Sequence, residues 1–228
     1  ELICEVGCGM GRFTKHAAST NANIISFDYS KSVDAAYDNN KELKNVNFIQ
    51  ADLNFLPFKK KIFDKIFCLG VLQHCPDPKK AFFNLLPYGK DKSNIVADIY
   101  KKPRHPFENY YYLRYFTKGR NPEKLFRYVS LYFSFIYFFT GIIYKIFGSA
   151  ISARAARFFC IVDYRGQLQI KDKKKMKELC LTDTFDKLSP LYDYPHTIKQ
   201  VNKWFENITH TSLEINTGYN GIEIHLDL

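Results

Sequence analysis

The feature that most constrains this chain is the regular alternation of short apolar runs with amphipathic runs across residues 1–100. Residues 2–6, 23–27, 46–50, 63–69 and 94–100 read as strands bounded by turn-forming residues. Helices are expected between them at about 12–19, at 31–43 with Ser30 as the N-cap, and at 78–86. Strands joined by helical crossovers run parallel through right-handed connections, and such a sheet is covered on both faces. Near the end, residues 197–208 form an amphipathic pattern, followed by strands at 212–217 and 222–228 around the turn Gly218-Tyr219-Asn220-Gly221. The expected fold class is therefore α/β, a Rossmann-like, mostly parallel sheet of seven strands.

From Lys101 the rhythm breaks. Residues 101–180 show no strand alternation and read as helical, rich in Phe and Tyr. They hold 17 Lys or Arg against 5 Asp or Glu, while the rest of the chain holds 16 against 18, so the net charge of +10 comes from this segment alone. Three regions are expected: a ligand-binding core at 1–100, a basic, aromatic-rich helical cap insertion at 101–180, and 181–228 completing the core. The 228 residues, 46% apolar, suit one α/β domain with an insertion. The chain opens at Glu1 inside a strand and without Met, so a preceding segment is expected. Cysteines at 4, 8, 68, 75, 160 and 180 form no CxxC pair. Reduced, packed thiols and a cytoplasmic location are expected in place of a disulfide frame or a zinc site.

Chemistry enters at Glu5-Val6-Gly7-Cys8-Gly9-Met10-Gly11-Arg12, which follows a strand and opens a helix. Glycines there let the backbone turn sharply and approach a ligand, and free N–H groups at the helix start face it. The spacing is GxGxG. The dinucleotide fingerprint is GxGxxG, and here its third glycine would be Arg12. Glu5 would repel a pyrophosphate and suits a ligand bearing an ammonium group.

This pattern resembles motif I of the class I S-adenosylmethionine-dependent methyltransferases, and further segments agree in order. Asp28, with Tyr29 after it, resembles the acid that holds the ribose hydroxyls. Ala51-Asp52-Leu53 looks like the adenine-binding acid with its apolar neighbours. Leu56-Pro57-Phe58 and Phe63-Asp64 resemble the entry to strand four, with Asp64 read as structural. The run from Leu69 and Gly70 through His74 to Asp77 and Pro78 resembles the loop bordering the methyl donor, with Asp77 and Pro78 read as a helix start. The resemblance implies S-adenosylmethionine as cofactor, with Glu5, Gly7, Cys8, Gly9, Gly11, Asp28, Tyr29, Ala51, Asp52, Leu53, Leu69 and Gly70 as binding residues.

Transfer from a sulfonium needs alignment and exclusion of water but no metal, and no ligand cluster for a metal is apparent. A hydroxyl acceptor would benefit from a general base. His74 is the first candidate, and the alternative is that it only shapes the pocket. Asp193 is a second, in a stretch that either closes over the site or is a surface turn between Pro190 and Pro195; His105, Tyr192 and His196 are weaker. Asp163–Gly166, 181–186, 190–195 and 218–221 are similar to a bacterial methyltransferase group that occurs with surface-polysaccharide biosynthesis. That resemblance implies a small-molecule or glycan acceptor such as a sugar hydroxyl or lipid-linked glycan.

Residues 128–144 carry no charge, but Ser, Thr, Gly and several Tyr interrupt them, and 17 residues sit at the lower limit for a membrane span. Helices roofing the site are expected. Peripheral contact with the inner face of an anionic membrane is the alternative. The alternative activity is that of an RNA or a lipid or quinone methyltransferase using the basic, aromatic cap, and the RNA reading is disfavoured because the aromatics cluster away from the basic residues. Two other classes remain: a nicotinamide-dependent oxidoreductase, against which the glycine spacing argues, and a non-catalytic S-adenosylmethionine-binding module.

Overall fold

The computed structural model describes residues 1–103, 111–206 and 211–228, with the side chains of Tyr111 and Tyr112 left aside. The chain divides into two units, Glu1–Lys102 with Asp193–Leu228, and Pro103–Tyr192.

The first unit is built on the expected seven-stranded sheet. Its strands are β1 (Leu2–Val6), β2 (Asn23–Asp28), β3 (Val46–Gln50), β4 (Phe63–Cys68), β5 (Gly89–Ile99), β6 (Ser212–Thr217) and β7 (Ile222–Asp227), in the order β3-β2-β1-β4-β5-β7-β6. β1 to β5 are parallel, and β7 runs antiparallel between β5 and β6. The apolar runs that marked these strands fill the core: Val6, Ile66, Cys68, Ile95, Ala97 and Ile224 are buried. From β1 the chain winds outward through β2 and β3, then returns to place β4 on the other side of β1. Ligands of open α/β sheets bind beyond the carboxyl ends of the strands at such a reversal.

The helices are shorter than their sequence patterns. α1 (Thr14–Ala18) starts two residues after the predicted onset, with Phe13 at its N-cap and no side-chain cap. α2 (Ser32–Asn40) has Lys31 at its N-cap with no side-chain cap. Ser30 stands one residue before that position: its hydroxyl donates to Asp28 Oδ1 at 2.7 Å, and its oxygen accepts the Ser32 N–H at 3.2 Å. α3 (Pro78–Phe83) is capped by Asp77, whose carboxylate accepts the Lys80 N–H at 3.0 Å, with Pro78 in the first turn. Asp64, at the opposite end of the sheet from the glycine loop, accepts the Leu2 N–H and pairs with Lys90 at 2.7 Å, so the two acids read as structural are so placed. Of the expected helix at 197–208, α7 (Ile198–Asn202) is formed, opened by a Thr197–Gln200 capping box, and Ile208 lies outside the described residues.

The second unit is helical, as expected: α4 (Tyr111–Thr117), α5 (Pro122–Phe158) and α6 (Lys173–Leu188). α5 breaks at Gly148, where φ is +80. Ser152 donates to the Thr140 carbonyl at 2.9 Å and Tyr132 to that of Phe159 at 2.5 Å. In a straight helix residues 12 apart are about 18 Å apart. The short second limb therefore folds back along the first as an antiparallel hairpin. Leu125, Val129, Phe133 and Ile136 form one buried stripe of the first limb, meeting Met176, Cys180 and Leu188 of α6. The expected boundary at residue 180 falls inside α6, which is one continuous helix, and the division of the chain comes at 192/193.

Candidate active site

Each glycine of the loop after β1 has a positive φ: Gly7 +68, Gly9 +53 and Gly11 +80. Their surroundings differ. A Cβ on Gly7 would run into the Val71 side chain of the loop after β4. One on Gly11 would strike Asn40 and Ala36 of α2, whereas around Gly9 there is nothing within 4 Å. Gly7 and Gly11 are thus small because the protein packs against them. Gly9 is small beside open space, at the reversal of the sheet, where a ligand can lie against bare backbone.

The acids expected to bind that ligand surround the loop. Asp28 ends β2, and its Oδ2 accepts the Gly9 N–H at 2.8 Å while Oδ1 accepts the N–H and hydroxyl of Ser30. A carboxylate has about four lone-pair sites, so Asp28, with three taken, retains one on Oδ2 for a ligand hydroxyl. Asp52 follows β3 in an Asx turn, with Oδ1 taking both Asn54 nitrogens at 2.8 and 2.9 Å. Ala51 bonds back to the Asp28 carbonyl at 3.0 Å, and Leu53 is buried beside it, so the ends of β2 and β3 form one edge. Tyr29 is largely exposed.

Glu5 differs from the other two acids. It is 2% exposed, and its Oε2 accepts the hydroxyls of Thr14 at 2.6 Å and Ser26 at 2.7 Å. Burial raises its pKa above the ordinary carboxylate range, against the opposing effect of the two hydroxyl bonds. Glu5 therefore ties β1, α1 and β2 together beneath the glycine loop, a role the sequence reading did not assign. Cys8 is likewise packed: its N–H bonds to the Phe27 carbonyl, and burial pushes its thiol up to about 11. At neutral pH it is a neutral wall, not a nucleophile. All six cysteines are free thiols.

The loop after β4 supplies the other half. Leu69 and Gly70 continue from the strand, and Leu72–His74 form a single 3-10 turn. The His74 ring packs edge-on against Tyr100 at 5.7 Å. The chain returns here, since the Tyr194 N–H bonds to the Gln73 carbonyl at 2.9 Å and the His196 N–H to the Tyr100 carbonyl at 2.8 Å. The backbone after Asp193 is thereby laid against the turn that carries His74, which brings the two catalytic candidates to one region. His105 lies outside the described residues, and Tyr192 belongs to the other unit.

Two residues here escaped the sequence reading. Asp98 near the end of β5 is 4% exposed, its Oδ1 accepting the Gly70 N–H at 2.5 Å and its Oδ2 the Asn220 amide at 2.9 Å. Burial raises its pKa, against those two bonds. The signal for it was an acid inside an otherwise apolar strand, Ile95-Val96-Ala97-Asp98-Ile99. Gln73 is fully buried, and neither atom of its side-chain amide has a hydrogen-bond partner. It lies within the run from Leu69 to His74 that resembles the loop bordering the methyl donor, but was not singled out there.

Comparison with known proteins finds its matches mainly over the segment that carries this geometry. Residues 4–86 match the family model described as a methyltransferase domain. Over 84 residues the chain is 31% identical to the ubiquinone biosynthesis O-methyltransferase of Coxiella burnetii, covering 36% of each protein. It is 38% identical over 84 residues to the tRNA U34 carboxymethyltransferase of Nautilia profundicola, covering 33% of this chain and 26% of that protein. The chain thus matches about a third of the length of these curated relatives. A solved S-adenosylmethionine-dependent methyltransferase from Aquifex aeolicus aligns over 99% of this chain at 12% identity, with a TM-score of 0.49. Gly7, Gly9, Gly11, Asp28, Asp52, Gly70 and His74 all fall inside the matched segment.

Proposed function

We propose that this protein is an S-adenosylmethionine-dependent methyltransferase acting on a hydroxyl of a small molecule or glycan. The observation that carries the cofactor is Gly9: a positive-φ glycine over open space, bonded through its N–H to Asp28 and set at the reversal of the sheet. The match of residues 4–86 to methyltransferase domains supports it.

When bound, the donor would supply a methyl group activated as a sulfonium for transfer to the acceptor oxygen. The protein's own work is placement. The glycine loop would give the donor bare backbone to lie against, Asp28 would accept from a ribose hydroxyl, and Asp52 with Leu53 would border the adenine. Asp98 holds Gly70 so that the loop after β4 stands beside the reacting carbon, which is an alignment effect. His74, on that loop, takes the acceptor's hydroxyl proton through a ring nitrogen, with Asp193 as the second candidate.

The O-methyltransferase name of the Coxiella burnetii relatives supports a hydroxyl acceptor. Asp163–Gly166, 190–195 and 218–221, which resemble methyltransferases of surface-polysaccharide biosynthesis, support a sugar hydroxyl over a quinone. A second reading, methylation of RNA, draws on the excess of 17 basic over 5 acidic residues at 101–180 and on the tRNA-acting relative.

The test is transfer of a labelled methyl group from S-adenosylmethionine to a panel of sugars, lipid-linked glycans, quinol precursors and RNA. Label in a glycan that is lost in His74→Ala supports the reading. Label confined to RNA or quinols overturns the acceptor assignment and leaves the cofactor standing.

A further inference from the structure

The hairpin of α5 presents an apolar surface on the side away from its own core. Tyr128, Leu131, Phe135, Phe138, Ile142 and Ile146 recur every three or four residues, and all are exposed. This is a continuous helical stripe opposite the buried one that meets α6. Around the break at Gly148 it continues into Phe147 and Ile151, 60% and 45% exposed. Isolated exposed apolar residues are ordinary, but a contiguous aromatic and aliphatic face marks an interaction surface.

Charge decides what the surface fits. Residues 124–162 contain no Asp or Glu, and their charged residues are Lys124, Arg127, Lys145, Arg154 and Arg157. Lys145 and Arg154 are exposed on either side of the turn. A wholly cationic rim around an apolar, tyrosine-bearing face is complementary to an anionic lipid bilayer, whose headgroups attract the rim while the face enters the acyl boundary.

The helix is long and apolar enough to cross a membrane, with a mean hydropathy of 1.5 over its best window. Its packing argues against that. The opposite side is occupied by α6, which carries Lys173, Lys174, Lys175, Lys177 and Glu178. Arg165, paired to Asp163 at 2.5 Å, lies 3.9 Å from the Tyr137 ring and bonds to Thr140, midway along the limb. Crossing would carry these charges into hydrocarbon. We infer that the α5 hairpin is a peripheral membrane-docking device, seating Phe138, Ile142, Ile146 and Phe147 in the outer layer of an anionic bilayer.

The test is flotation of the full chain with vesicles of phosphatidylcholine alone or mixed with phosphatidylglycerol, for wild type, Ile146→Asp/Phe147→Asp and Lys145→Glu/Arg154→Glu. Circular dichroism and S-adenosylhomocysteine titration of each variant verify that the fold and the proposed cofactor site are intact, which separates failure here from failure of the methyltransferase reading. Wild type is expected to float with the mixed vesicles, less so as salt rises. The apolar double variant should lose roughly tenfold or more of its bound fraction, the order expected for withdrawing two large apolar side chains from the acyl boundary. The charge-reversed pair should lose binding to mixed vesicles selectively. Absence of flotation, or flotation unchanged in both variants, overturns the inference. So does sedimentation showing a lipid-free dimer that Ile146→Asp/Phe147→Asp dissociates, because the face would then be covered by a second copy.

Discussion

Asp98 Oδ1 accepts the backbone N–H of Gly70 at 2.5 Å, joining the end of β5 to the first turn of the loop after β4. The same carboxylate holds Asn220 of the β6–β7 turn through its other oxygen. One buried acid therefore fixes two of the loops at the carboxyl end of the sheet. An amide in its place can accept from one of these partners through its oxygen but not from both. Asp98→Asn should keep the fold and lower turnover by up to roughly 100-fold, the scale of a small misplacement of reacting groups. Affinity for S-adenosylhomocysteine should change less. Thermal melting with single-turnover and binding measurements reads this, and unaltered turnover would remove Asp98 as a positioning residue.

The three loop glycines should fail in different ways when replaced by alanine. All three have positive φ, so each substitution costs roughly 1–3 kcal/mol in backbone strain. Gly7→Ala and Gly11→Ala add collisions with Val71 and with Asn40 and Ala36, so their melting temperatures should fall further. Gly9→Ala should melt higher than either and yet lose the most cofactor affinity per unit of lost stability. Parallel melting curves and titrations decide this; equal affinities in Gly9→Ala and wild type would place the ligand elsewhere.

Glu5 makes a pH prediction. Burial raises its folded-state pKa, so folding favours the protonated form. Its contribution is fully present below the ordinary carboxylate value and is lost as pH rises through the raised one. Gln, neutral throughout, can still accept one of the hydroxyl bonds through its oxygen. Wild type should therefore gain stability relative to Glu5→Gln as pH falls from neutral into the acid range. A melting-temperature difference independent of pH would contradict the assignment.

In the helical unit the relation is reversed. Burial raises the Asp163 pKa, but its bonds to Arg165 and Ser152 together outweigh that and hold it below the usual range. Its contribution is present above the ordinary carboxylate value and is lost as pH falls through the depressed one. The Asp163 side chain is 1% exposed, so Arg165→Met would strand a buried charge, at a cost of about 3–5 kcal/mol. Replacing both, as Asp163→Leu/Arg165→Met, should recover much of that loss, and chemical denaturation of the two variants and wild type measures it.

The sheet was legible in the sequence because its strands are short, apolar-rich runs, such as Leu2–Val6 and residues 23–27, separated by helical patterns and turn residues. Helix ends were less so. Ser30 looked like the cap by residue type, and its oxygen does accept the Ser32 N–H, but the helix begins one residue later, with Lys31 in the cap position. Gly7 to Gly11 stood out through their spacing, and Asp28 and Asp52 through the family resemblance. Asp98 did not, because its partners Gly70 and Asn220 are distant in sequence, and nothing in its residue type marked Gln73 as a buried amide. The hairpin of α5 was also hidden: the break falls at Gly148, which nothing in the surrounding pattern set apart from Gly141 inside the first limb.

The most direct test of the central claim is calorimetric titration of the purified chain with S-adenosylhomocysteine, with NADH as the control and Asp28→Ala as the comparison. Saturable binding of S-adenosylhomocysteine at one site, weakened in Asp28→Ala, with no heat from NADH, is the predicted result. Saturable NADH binding, or a folded chain that takes up S-adenosylhomocysteine equally well without the Asp28 carboxylate, would contradict it.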